Sequence, residues 1–205
     1  MERKSKLTTR RVFMAASAAA SALFSAGSAL ALTENEAKSL VETTLGELFG
    51  ILKGTVEPAK LAPKLRGIME ARGNMPLIAK FSAGRVWGDM NSDQQTRYSA
   101  AFAKFVSVTY ARRFREITGE PKVNIGKIID AGRKGVLVET PFDGPQGEKI
   151  AVEWLVSDRA GRVEIIDLIV EGISMATTQR EEISAMYEKR GNDVEALISD
   201  LNSGT

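Results

Sequence analysis

The chain has 205 residues, with 28 Lys and Arg, 26 Asp and Glu, no His and no Cys. The two zeros exclude disulfides, thiolate nucleophiles, Cys-bound zinc, iron–sulfur clusters and every Ser-His-Asp or Cys-His catalytic arrangement. Five of the basic residues and one acid lie in 1–31, so the remaining 174 residues carry a net charge of −2, which offers no whole-domain electrostatic case for nucleic acid.

In chain order, the first segment reads as an address. Residues 1–11 are basic, and Val12 to Leu32 is an apolar run of small residues broken by serines. Ser28-Ala29-Leu30-Ala31 places small residues at the −3 and −1 positions of a cut after Ala31. Thr9-Arg10-Arg11-Val12-Phe13-Met14 resembles a twin-arginine signal. We therefore expect 1–31 to be a cleaved export signal of the twin-arginine type. Residues 32–205 are expected to form one domain, soluble after signal removal, with no lipobox cysteine to anchor it. An ordinary Sec signal and an uncleaved anchor are the alternatives, because about twenty apolar residues suffice to span a bilayer.

Thr33 and Glu36 have capping-box spacing and open a helix with Val41, Leu45, Leu48, Phe49 and Leu52 on one face. A short helix follows around Leu61, Leu65, Ile68 and Met69, and another runs from Pro76 to about Trp87. Ser92 and Gln95 form a second capping box. The helix they open carries Tyr98, Phe102, Phe105, Val106, Tyr110 and Phe114 on one side and runs to about Ile117, where Gly119 and Pro121 stop it.

Four strands are predicted at 122–130, 134–141, 148–157 and 162–171, joined by turns at Gly132 to Gly135, Gly144 to Gly147 and Asp158 to Gly161. Ile150, Val152, Trp154 and Val156 alternate with Ala151, Glu153 and Leu155, which gives one apolar face. In the last strand Ile166, Leu168 and Val170 share one face, and Val163, Ile165, Asp167 and Ile169 the other. Apolar residues on both faces call for cover on both. The second cover is expected from helices at 174–190 and 192–202, through Ile183, Met186, Tyr187, Val194, Leu197, Ile198 and Leu201. Helices segregated from a run of strands indicate an α+β domain with an antiparallel meander.

No GxGxxG, P-loop, HExxH, EF-hand loop or GxSxG elbow is present. Asp167 and Glu171 fall four apart on one strand, ~13 Å at ~3.3 Å per residue, wider than paired glycosidase carboxylates. Asp167 is open to two readings: a lone general base in an isomerase-like site, or a hydrogen-bonded structural group with Glu171 closing the strand end. Trp87, Phe102, Phe105, Tyr110, Phe114 and Trp154 point to one helix–sheet interface, either packed core or the wall of an apolar pocket. Lys104, Arg112, Arg113 and Arg115 make a solvated helix face or a short docking patch.

The segment Asp167-Leu168-Ile169-Val170-Glu171-Gly172-Ile173-Ser174-Met175 resembles the Asp-x-x-x-Glu-Gly-Val-Ser-Leu/Met signature of the MlaC, or toluene-tolerance, family. Ala176-Thr177-Thr178-Gln179-Arg180, the later Gly191, and Val194-Glu195-Ala196-Leu197-Ile198 are similar too. Upstream, Gly84-Arg85-Val86-Trp87 resembles the family's Gly-Arg-aromatic-aromatic segment, and Asp93-Gln94-Gln95 through Tyr110-Ala111 its long helix.

The resemblance implies a single α+β domain: N-terminal helices, a four-stranded antiparallel twisted sheet, C-terminal helices, and an apolar pocket between sheet and helices. It implies a periplasmic phospholipid carrier that shuttles lipid between an outer-membrane lipoprotein–porin complex and an inner-membrane MCE-type ABC transporter, maintaining outer-membrane lipid asymmetry. It implies no catalysis, cofactor or metal. The wall is then expected from Trp87, Phe102, Phe105, Val106, Tyr110, Val152, Trp154, Ile166, Leu168, Val170 and Ile173, with Arg85 at the headgroup or in an internal ion pair. A hopanoid or other hydrophobic cargo, and an enzyme using Asp167 as base, are the alternatives.

Overall fold

The computed structural model describes residues 32–54, 57–114, 123–143 and 147–204. The expected export signal, Arg115, the helix end at Ile117 to Pro121 and the Gly144 end of one turn lie outside the described residues. The order is α1 (Glu34–Gly54), α2 (Pro58–Arg72), α3 (Met75–Ala83), α4 (Val86–Asp89) and α5 (Ser92–Phe114), then β1 (Ile128–Asp130) and β2 (Val136–Glu139). A short ribbon of β3 (Phe142–Asp143) and β4 (Lys149–Ile150) precedes β5 (Val152–Ser157), β6 (Glu164–Val170) and β7 (Ile173–Ser174). Helices α6 (Met175–Lys189) and α7 (Val194–Ser203) follow. Among the described residues no helix is long and apolar enough to cross a membrane.

Helix α1 opens on the expected reciprocal cap: Thr33 N donates to Glu36 Oε2 at 2.9 Å, and Glu36 N to Thr33 Oγ1 at 3.2 Å. At α5 the box is displaced by one residue. Asn91 N donates to Gln94 Oε1 and Gln94 N to Asn91 Oδ1, both at 2.9 Å. Asn is as good a cap as Ser, and this register frees the Gln95 amide to donate to the carbonyls of Trp87 and Met90 at 3.1 and 3.3 Å. The helix start is thereby tied to α4.

The fold is α+β with an antiparallel sheet, but the sheet has five strands, in the order β1-β2-β5-β6-β7, where four were expected. Two local features depart from the expected strands, the first giving a separate ribbon and the second the fifth strand. The segment expected as one strand at 148–157 breaks at Ala151, whose N–H is taken by the Glu171 carboxylate, and β4 pairs with β3 instead. Beyond β6, Glu171 (φ 51°) and Gly172 (φ 76°) both adopt left-handed backbone, which makes the two-residue turn that folds β7 back onto β6.

A β-bulge decides which residues of β6 face inward. Leu155 pairs with Asp167, but Val156 pairs with Ile165, so Ile166 is the extra residue. Strict alternation places Ile166 with Leu168 and Val170. The bulge puts Ile165 there instead, buried with Val152, Trp154 and Val156. The α2–α3 corner docks at this point: Asn74 N donates to Ile165 O at 2.9 Å, and Asn74 Nδ2 to the buried Glu164 at 2.7 Å.

The apolar residues sort into separate cores. Ala37, Val41 and Leu45 of α1 cover one face of the sheet. A helical cluster joins α3, α5, α6 and α7 around Tyr98, Phe102, Ile183, Leu197 and Leu201. Ile183, Tyr187, Leu197, Ile198 and Leu201 therefore bury against helices, not against the sheet as expected. Helix α7 satisfies its apolar stripe on the 23-residue α5, which offers a longer matching stripe than the short strands do, and α6 packs on α3.

Candidate functional site

Where α1, α2, α5, α6 and the sheet converge, the side chains leave a cavity of about 150 Å³. Helix α5 contributes Phe102, Val106, Tyr110 and Phe114, one residue every four along one face. Helix α1 contributes Thr44 and Leu48, helix α2 Leu65, Ile68 and Met69, and the sheet Trp154, Ile165 and Leu168. Counted out through its mouth, the space amounts to about 890 Å³.

The polar groups on this wall are mostly engaged within the protein. Thr44 Oγ1 donates to Leu40 O at 2.7 Å, and Trp154 Nε1 donates to the buried Thr140 Oγ1 at 2.8 Å. Asp167 accepts three bonds: from Ser174 Oγ at 2.5 Å, Leu168 N at 2.8 Å and Ala176 N at 3.0 Å. Ser174 in turn caps α6 by accepting from Thr177 N at 3.1 Å. The Asp-x-x-x-Glu-Gly-x-Ser segment thus builds a hairpin-to-helix corner beside the cavity. Asp167 holds the cap, Glu171 the Ala151 N–H, and Gly172 the turn. The Asp167 carboxylate spends both oxygens on this scaffold, which supports its structural reading over its use as a base. The buried Gln179 Oε1 is one exception, with no partner among the described residues. Burial pushes the Tyr110 phenol above its ordinary range, while the Arg113 guanidinium, 5.6 Å from its ring centre, pulls it down.

The expected wall residues separate into groups. Phe102, Val106, Tyr110, Trp154 and Leu168 line the cavity. Phe105 is buried in the helical cluster, and Trp87 packs edge-on to Tyr98 there, with ring centres 6.2 Å apart. Val152 and Val170 belong to the cluster between α1 and the sheet. Ile166, bulged out, borders a separate pocket of about 160 Å³ with Leu77 and Arg159. Ile173 is 59% exposed at the hairpin. Arg85 is exposed and paired with Glu188 at 2.9 Å, away from the cavity. Gly84 beside it has a left-handed φ of 57°, and a Cβ there would stand 2.9 Å from Arg180 Nε. Arg180 itself lies over the Phe81 ring, 5.4 Å from its centre.

Leu48, Leu65, Ile68 and Met69 were visible as helix faces but not as wall. The missing signal was pairing: nothing in the one-dimensional pattern says that Leu61 and Ala62 of α2 pack on α5 while Leu65, Ile68 and Met69 stand with α1 around a gap.

The MlaC protein family model matches residues 42–203. The chain belongs to the MlaC family. The match takes in every residue that lines the cavity. Among solved structures, the fold is similar to that of the phospholipid-binding protein from Ralstonia solanacearum in complex with a phospholipid. The TM-score is 0.66 at 19% identity, over 82% of this chain and 96% of that one. At that identity the likeness is one of fold. No curated protein sequence matches the chain.

Proposed function

We propose that this MlaC-family protein is a periplasmic phospholipid carrier, without enzymatic activity, that seats acyl chains in the cavity between α5, α1–α2 and the sheet. The observation that carries the reading is an apolar hollow whose wall polar groups are, with few exceptions, bonded to the protein rather than presented to a ligand. Such a wall suits hydrocarbon and offers no constellation for chemistry on a substrate. Family membership and the phospholipid held by the similar fold support the same cargo.

The magnitudes shape the mechanism. Two sixteen-carbon tails carry roughly 30 methylenes, each worth ~0.8 kcal/mol on burial, a gross ~24 kcal/mol. Release into water on that scale is too slow to be useful, so the lipid passes directly to a partner with its own apolar site. An outer-membrane lipoprotein–porin complex and an inner-membrane MCE-type ABC transporter fit that requirement, and transfer between them would maintain outer-membrane asymmetry. A cavity of about 150 Å³ has the size that admits a benzene-like molecule. A diacyl lipid is several times larger, so its chains extend through the open mouth or part the walls on loading.

Native mass spectrometry of the protein purified from its own envelope, followed by lipid extraction, tests this. About one diacyl phospholipid per chain is expected. Reproducibly ligand-free protein contradicts the carrier reading, and a hopanoid in place of phospholipid keeps the carrier and changes its cargo.

A further inference from the structure

Arg72 is the one cation among the described residues that line the cavity. It sits in the last turn of α2 and reaches across to α1, where its Nε donates to Glu47 Oε2 at 3.1 Å and its Nη2 to Glu47 Oε1. Glu47 lies between the two α1 residues that line the same cavity, Thr44 and Leu48. Both partners are about one-third exposed, Arg72 at 33% and Glu47 at 37%, so the pair stands where apolar wall gives way to solvent. Nη1 has no hydrogen-bond partner among the described residues.

We propose that Arg72 is the phosphate-binding residue of this carrier and that Glu47 occupies its guanidinium when no lipid is present. The proposal rests on the carrier reading above. A guanidinium takes a phosphate in the same forked geometry as a carboxylate. The exchange is cheap on the Glu47 side, because an ion pair this exposed contributes little and the freed carboxylate is already in contact with water. It is favoured on the phosphate side, because seated acyl chains hold the phosphodiester at the mouth and make its binding intramolecular. The same exchange removes a tie between α1 and α2, two of the walls that bound the cavity. Asp167, the other charged group on the wall, offers no competing site: its oxygens are committed to Ser174, Leu168 and Ala176. A phosphodiester headgroup and free phosphate share the chemistry that Arg72 recognises, and the test separates them.

The full chain without its export segment is offered vesicles containing phosphatidylglycerol and diacylglycerol with identical acyl chains, and the ratio of the two bound is read by native mass spectrometry. The wild type is expected to favour phosphatidylglycerol by about tenfold, the scale of a charge-assisted bond at a partly wet site. Arg72→Gln is expected to bring the ratio close to one, Arg72→Lys to restore part of it, and Glu47→Gln to raise it above wild type. A ratio unchanged in a folded Arg72→Gln overturns the assignment. If that variant does not fold, Glu47→Gln decides, and an unchanged ratio there overturns it equally. Inorganic phosphate at millimolar concentration is expected to leave the ratio as it is. Competition by inorganic phosphate that Arg72→Gln abolishes would make this a free-phosphate site and overturn the headgroup role. Wild-type protein that takes both lipids equally sinks Arg72 alone, whereas wild-type protein that takes neither sinks the carrier reading with it.

Discussion

Helix α5 passes through two environments that its sequence scarcely distinguishes. Its first half meets α7 and α3, and there Tyr98 and Phe102 stack with ring centres 6.0 Å apart while Leu197, Leu201 and Ile183 are fully buried in the same cluster. Its second half carries Val106, still part of that cluster, Tyr110 at its edge and Phe114 beyond it along the cavity. Both halves present an apolar stripe. What differs is the surroundings: α7 and α3 close over the first half, while along the second α2 packs on Ala111 through Leu61 and Ala62 and leaves the cavity between its Leu65, Ile68 and Met69, α1 and the sheet. Hollowness is therefore a property of how elements are spaced, not of the residues on any one of them.

This contrast is broken most severely from the packed side. Leu197→Ala removes a fully buried side chain from the helical cluster and is expected to cost about 3 kcal/mol in urea unfolding. Leu48→Ala, on the cavity wall and already half-buried, is expected to cost less than about 1 kcal/mol, because the space it leaves joins one that exists. Equal losses at the two sites would erase the distinction.

The corner that frames the cavity comes next. Asp167→Ala leaves Ser174 Oγ and Ala176 N without their acceptor and is expected to lower stability by about 2 kcal/mol. Asp167→Asn keeps one acceptor oxygen and should lose less. A loss for Asn as large as for Ala would argue that the charge itself matters.

Filling the hollow sharpens the comparison from the cavity side. Val106→Trp places bulk in the cavity and is expected to reduce co-purified lipid at least fivefold, with stability changed by no more than about 1 kcal/mol. The same change in a closed core would be expected to destabilise by more. Retained lipid in a folded Val106→Trp protein would show that the cavity is not where the cargo sits.

The smallest effect concerns the clasp between α5 and α7. Arg97 binds Glu195 through two 2.7 Å bonds, and the Glu195 carboxyl is lowered to about 2 by that guanidinium and by Gln94. A carboxylate with a depressed folded-state value contributes its stability above the unfolded value near 4.3, and loses it as pH falls towards about 2. Glu195→Gln should therefore flatten the acid limb of the pH–stability curve between those values and leave neutral pH little changed in slope. An identical acid limb in the variant would assign the pH dependence elsewhere.

Much of the fold was legible because it is written locally. The Thr33–Glu36 cap and the inward face of Val152, Trp154 and Val156 depend on spacings within a few residues. The displaced cap at Asn91 was a choice between two adequate side chains, which tertiary ties through Gln95 decided. The face of Ile166 was misread because a bulge is set by the partner strand and by the Asn74 corner docked beside it, neither of which shows in alternation. In the site, weighting aromatic residues favoured Trp87 and Phe105, which are the sort of flat, rigid groups that fill a helical core. Aliphatic residues of α1 and α2, equally periodic, supply much of the cavity wall. The headgroup expectation at Arg85 followed its place in a motif, whereas the fold turns that segment outward to Glu188 and brings Arg72 to the cavity.

The central claim is that acyl chains lie in the space between α5, α2 and the sheet. It is tested most directly with a phospholipid carrying a photoreactive diazirine midway along one chain, loaded from vesicles, irradiated, and mapped by peptide mass spectrometry. The account predicts adducts on cavity residues such as Ile68, Met69 and Val106. Adducts concentrated instead on the exposed Leu77, Phe81 or Ile173 would mean that lipid rests on the surface, and would contradict it.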